Sequence, residues 1–179
     1  IVGLILAIIT SFKPVWSPYL APLYAFCEGL VIGGISAIFE AVLPGIVIQA
    51  AGATIMTVFA MTALYMTKLI QVTEKFRAVL TTALFAIFCL YLVSFISNLI
   101  GYNTISKFLW SSTPISIGIS IIFAGVAALC LILDFDRIER FSQYGAPKYM
   151  EWYCAFGLMV TIIWLYMEIL RLLAKSSRK

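Results

Sequence analysis

From Pro114 to Leu133 the chain reads "PISIGISIIFAGVAALCLIL", without one charged side chain. The hydrocarbon core of a bilayer, about 30 Å thick, is crossed by roughly 20 residues of helix. A run of that length and character is built for lipid. Runs of the same kind recur along all 179 residues. In lipid, every backbone N–H and C=O must be satisfied within the protein, which leaves only helices and closed barrels. A barrel would show short strands of alternating polarity. The unbroken runs predict instead an all-α polytopic membrane protein, a helical bundle forming one integral domain over 1–179. Composition agrees: 63% of residues are hydrophobic and 11% charged, against about a quarter charged in soluble domains.

The opening "IVGLILAIIT" is apolar but too short to span, and reads as the end of a helix whose beginning is missing. Five full spans are predicted after it, over about 18–40, 44–67, 74–99, 114–137 and 147–174. Ser17 followed by Pro18 reads as an N-cap with proline at the first helical position. Pro44 and Pro147 are expected to open helices in the same way, Thr113 with Pro114 likewise, and Thr73 to cap the third span.

Basic residues in short loops set orientation. Loops 11–17, 68–77 and 135–149 carry Lys13, Lys68, Lys75, Arg77, Arg137, Arg140 and Lys148, whereas loops 40–44 and 100–113 carry only Lys107. The first group is therefore placed in the cytoplasm. The tail, with Arg171, Lys175, Arg178 and Lys179, falls on the opposite side and runs against that assignment.

The chain has no histidine, which removes His-ligated zinc, HExxH chemistry and a Ser-His triad. Neither GxSxG nor GxGD occurs, so no hydrolase dyad can be assembled, and the reading is of a protein that is not an enzyme and needs no cofactor. Cys27, Cys89, Cys130 and Cys154 lie in apolar runs outside any CxxC pair and read as small apolar fillers. The net charge of +4 sits in loops and tail, a membrane-topology pattern rather than a nucleic-acid surface.

Small residues recur at helical spacing in three places: Gly29, Gly33 and Ala37; Ala53, Thr57 and Ala60; Ser116, Ser120, Ala124 and Ala128. Such faces let helix backbones approach closely, and each is expected to form a seam inside the bundle. Acids at bilayer depth are costly, about 2.5–3.5 kcal/mol on insertion scales, so each needs a reason. Glu28, between Pro18 and Glu40, sits near the midplane with no base on its own helix. It reads either as a neutral carboxyl bonded to Tyr24 or across the bundle, or as an ion or proton site; in both readings it faces the interior. Glu151 lies near the cytoplasmic start of the last span, and Glu168 can pair with Arg171 three residues on.

The run ends on "DFDRIER". Asp134 and Asp136 point about 200° apart on a helix, so they do not share a cavity. Asp136 reaches Arg140 at i+4, and Arg137 lies three beyond Asp134. Arg137 can thus latch Asp134, or leave it to a cation or proton. Spacing alone also allows a helix terminus with solvated charges.

The last third, from "LILDFDRIERFSQYGAPKYMEWYCAFGLMV" to the "LRLL" run, resembles the C-terminal signature of the Bax inhibitor-1 family, and most of all its bacterial branch. "SPYLAPLYAFCEGLVIGGISAIFE", "PGIVIQAAGATIMTVFAMTALY" and "VTEKFR" resemble the same branch, so nearly the whole chain is covered. The resemblance implies seven membrane helices with the last one central, the five spans here being helices three to seven. Studied members act as pH-sensitive calcium leak pathways, with an aspartate ending helix six and another within helix seven as proton sensor. Asp134 matches the first; Thr161 stands where the second would be. A proton shared between two carboxylates is therefore not implied, unless Asp136 or Glu151 takes the second place. Calcium prefers six to eight oxygen ligands, more than one visible cluster supplies, so no tightly bound metal is expected.

The resulting expectation is a cation (calcium or proton) leak protein of the bacterial inner membrane, embedded in the lipid bilayer. Asp134, Glu28 and Asp136 are its candidate ion-path or proton-sensing residues, Arg137 its latch, and Glu151, Glu168 and Thr161 secondary candidates. The alternative is a non-transporting regulator that binds a protease or another membrane protein.

Overall fold

The computed structural model describes residues 2–177. Its helices are α1 (Val2–Phe12), α2 (Ser17–Val42), α3 (Ile46–Met66), α4 (Glu74–Leu99), α5 (Thr104–Trp110), α6 (Pro114–Gln143) and α7 (Tyr149–Ser177), with one 3-10 turn at Pro14–Trp16. Among the described residues there is no strand. Five segments, Pro14–Val42, Ile46–Met66, Glu74–Leu99, Pro114–Gln143 and Tyr149–Ser177, are long and apolar enough to cross a membrane.

Helix ends follow local chemistry. The Thr73 and Thr113 hydroxyls accept from the N–H groups of Phe76 and Ser116, at 3.1 and 3.4 Å, and cap α4 and α6 as expected. Ser17 does not cap. It belongs to α2 already, and its hydroxyl donates to the Tyr149 carbonyl at 2.7 Å, tying the start of α2 to the start of α7. Nor does Pro44 open α3. The chain turns through Gly45 at φ 85°, a left-handed conformation that favours glycine, and the Glu40 carboxylate accepts from the N–H groups of Gly45 (2.6 Å) and Val47 (3.1 Å). A carboxylate satisfies those free donors and suits the positive end of the helix. Pro147 likewise lies in a turn before α7, its carbonyl accepting from Met150 N at 2.8 Å. Helix α6 runs on to Gln143, past the expected end near 137, because nothing breaks it before Gly145 at φ 62°. "DFDRIER" is thus fully helical. The segment 100–113, expected as a loop, contains α5.

Helix α7 packs on α6 most extensively, and also on α3 and α2. Ala127, Leu131 and Ile132 of α6 meet Leu165, Ile169 and Leu170 of α7 and Ile46 and Ala50 of α3 in the main core. A smaller core joins Leu6, Ala21, Tyr24 and Phe156 across α1, α2 and α7. Lipid tails are as apolar as leucine, so these contacts act through close packing rather than through escape from water.

The small-residue faces divide. Ser116 and Ser120 are buried with Ala124 and Ala128 partly so, and that seam holds. Gly29, Gly33 and Ala37 are exposed, and so are Ala53 and Ala60; these two faces are not seams within the described bundle. The inward side of α2 is set instead by Ser17, Ala21, Tyr24 and Ser36, with Ser36 hydrogen-bonded to the Tyr166 hydroxyl of α7 at 2.7 Å.

Candidate functional site

Asp134 lies on the face of α6 that meets α7 and is 8% exposed. The Thr161 hydroxyl donates to its Oδ2 at 2.6 Å. So the two positions of the resemblance do meet, one as acceptor and the other as donor. Arg137 Nη1 stands 3.8 Å from Asp134 Oδ1, close enough for charge attraction and too far for a hydrogen bond. Gly157 of α7 lies beside the pair: a Cβ there would sit 3.7 Å from Arg137 Nη1 and 4.0 Å from Asp134 Oδ1.

Asp134, Arg137 and Thr161 line a cavity of about 420 Å³ whose other walls come from Ala7 and Ser11 of α1, Leu84 of α4 and Trp164 of α7. A lone buried carboxylate with one hydrogen bond and a half-solvated cation is held weakly compared with one in a tight ion pair. Protonation there removes a charge without having to break a dense network. Among the described residues no three His, Cys, Asp or Glu side chains gather where they could hold a metal ion.

A family model described as Bax inhibitor 1 like matches residues 1–178. The chain belongs to the Bax inhibitor 1 like family. Comparison with curated proteins and with solved structures finds no match.

The remaining candidates lie away from Asp134 in this family member. Asp136 turns toward α4, where its Oδ2 accepts from Arg140 Nε and from Arg77 Nη2, both at 2.9 Å. The Arg140 contact follows from the i+4 spacing; the Arg77 contact needed the fold. Glu151 is exposed and lines a different cavity, with Ile138, Cys154 and Leu158. Neither replaces the second aspartate. Glu28 is half-buried against α1, where a Cβ on Gly3 would come within 2.6 Å of its Oε2. Among the described residues it makes no hydrogen bond to Tyr24, whose ring packs edge-on against Phe156 with centroids 5.0 Å apart. Its carboxyl therefore faces α1 beside Gly3, and among the described residues it makes no hydrogen bond or ion pair with another helix.

Glu168 does pair with Arg171, at 3.2 Å, but as part of a network the sequence did not reveal. The Tyr91 hydroxyl (2.6 Å) and Trp164 Nε1 (3.1 Å) also donate to Glu168 Oε1, Arg171 donates to the Tyr91 oxygen, and the Arg171 guanidinium lies 4.8 Å from the centre of the Trp110 ring. Lys175 is 4% exposed, its Nζ donating to the Ser120 hydroxyl at 2.6 Å and the Ser116 hydroxyl at 2.9 Å. Arg171 and Lys175, read in the sequence as part of the basic tail, lie within the last turns of α7; Arg178 and Lys179 lie outside the described residues. The available signal was the Glu168, Arg171, Lys175 spacing, which puts all three on one helix face.

Proposed function

We propose that this protein is a pH-sensitive cation leak pathway, for calcium or protons, in the bacterial inner membrane, with Asp134 as its switch. The observation that carries the reading is a buried carboxylate at the α6–α7 contact, hydrogen-bonded by Thr161 and opening onto the 420 Å³ cavity. While charged, Asp134 holds the Thr161 hydroxyl and attracts Arg137; once neutral, it loses that pull on both. Threonine does not titrate in this range, so one proton is gained where a carboxylate pair would share one. Helix α1 touches both acids: Ala7 and Ser11 border the Asp134 cavity, and Gly3, one turn before Ala7, abuts Glu28.

Calcium or proton flux into liposomes tests this. In wild type, flux is expected to change with pH. In Asp134→Asn it should not. Arg137→Gln should move the midpoint to higher pH, because the cation that favours the charged carboxylate is gone. A wild type that passes no ion at any pH would overturn the reading. It would favour the alternative, a non-transporting membrane regulator binding a protease or another integral protein. That alternative draws on the outward-facing Gly29, Gly33 and Ala37 of α2, a surface suited to another helix.

A further inference from the structure

We infer that the cleft between the first turns of α4 and the last third of α6 binds the phosphate of an anionic phospholipid. Arg77, Arg137 and Arg140 line this cleft, of about 470 Å³, with Asp136 as its only acid. Asp136 Oδ2 accepts from both Arg77 and Arg140 at 2.9 Å. Among the described residues Arg137 has only the 3.8 Å approach to Asp134, which lies outside the cleft, and Arg77 has a further 3.3 Å contact to the exposed Glu74. In the wall of the cleft three guanidiniums thus stand beside one carboxylate, which Arg77 and Arg140 already share. Each guanidinium carries five N–H donors. Among the described residues Arg140, which lines the cleft, uses Nε alone toward an acid, so its terminal nitrogens hold no carboxylate.

Arginine forks match phosphate oxygens in geometry as well as charge, and the Thr81 hydroxyl adds a polar group to the wall. Leu84, Leu133 and Phe141 supply an apolar floor, suited to the first carbons of acyl chains. A free phosphate has no use for that floor. The cleft also opens on the face that the loop charges place in the cytoplasm, where basic pockets between helices meet anionic headgroups.

Arg137 borders both this cleft and the Asp134 cavity. A headgroup phosphate therefore competes with Asp134 for it. This consequence rests on the proposed leak function; binding itself does not.

Native mass spectrometry of the detergent-solubilised protein, incubated with phosphatidylglycerol or with phosphatidylcholine, tests the site. Phosphatidylglycerol should be retained preferentially. The Arg77→Gln/Arg140→Gln double variant should weaken retention about tenfold or more, since each basic group near a lipid surface is worth a factor of about five. Asp136→Asn should strengthen retention, because it frees both guanidiniums, and a merely damaged fold would not do that. Equal retention of the two lipids, or retention unmoved by the double variant, would overturn the site. Inorganic phosphate raising the melting temperature as much as phosphatidylglycerol would overturn its assignment to lipid. Flux is a separate readout: phosphatidylglycerol binding without ion flux would sink the leak function and leave this site standing.

Discussion

The α6–α7 pairing holds two buried acids, and they are treated in opposite ways. Glu168 is 1% exposed and accepts from Tyr91, Trp164 and Arg171, with Lys175 one further turn along the helix. Among the described residues Asp134 accepts from Thr161 alone, its cation stands off at 3.8 Å, and a cavity of about 420 Å³ lies beside it. A carboxylate buried to 1% and tied by three donors has no cheap way to change its charge. One tied by a single hydroxyl beside open space does. Burial alone therefore does not mark a switch; what matters is how little else depends on the charge.

The sharpest way to break this comparison is Glu168→Ala. It removes the only acid paired with Arg171 among the described residues, whose side chain is 15% exposed, and leaves the Tyr91 and Trp164 donors without their acceptor. The cost should be about 3–5 kcal/mol in reversible detergent unfolding, as removal of one partner of a buried pair does. Thr161→Val comes next. It deletes a hydrogen bond to a charged group, worth about 1.5–3 kcal/mol while Asp134 is ionised. That loss should shrink toward zero at pH values where Asp134 is protonated, a dependence that Glu168→Ala should not share. If the two variants lost stability equally and with the same pH profile, the contrast would be gone. The smallest effect is expected for Gly3→Ala. The added Cβ makes ordinary contact with the Tyr24 ring and pushes aside only the far end of the flexible Glu28 side chain. Alanine gains roughly 0.5–1 kcal/mol over glycine within a helix, so unfolding should show a change near zero or a slight stabilisation.

The five spans were legible because crossing lipid demands length and apolarity, and both are written directly in the chain. Inward faces were less so. Small-residue spacing says that something approaches closely but not what, and the faces of Gly29 and Ala53 turned outward while that of Ser116 turned in. The divergence of Asp134 and Asp136, and the pairing of Asp136 with Arg140 and Glu168 with Arg171, followed from helix geometry alone. Contacts between helices did not: Arg77 on Asp136 and Tyr91 on Glu168 join residues far apart in sequence. The meeting of Asp134 with Thr161 was suggested only by the family resemblance, since no spacing rule links α6 to α7.

The central claim is that Asp134, and not its neighbour two residues on, sets the response to pH. Calcium flux should be measured across pH in identical liposomes carrying wild type, Asp134→Asn or Asp136→Asn. Asp134→Asn should give flux that no longer depends on pH. Asp136→Asn should keep the wild-type response, because Asp136 is held by Arg77 and Arg140 outside the Asp134 cavity. A pH response lost in Asp136→Asn and intact in Asp134→Asn would contradict the account.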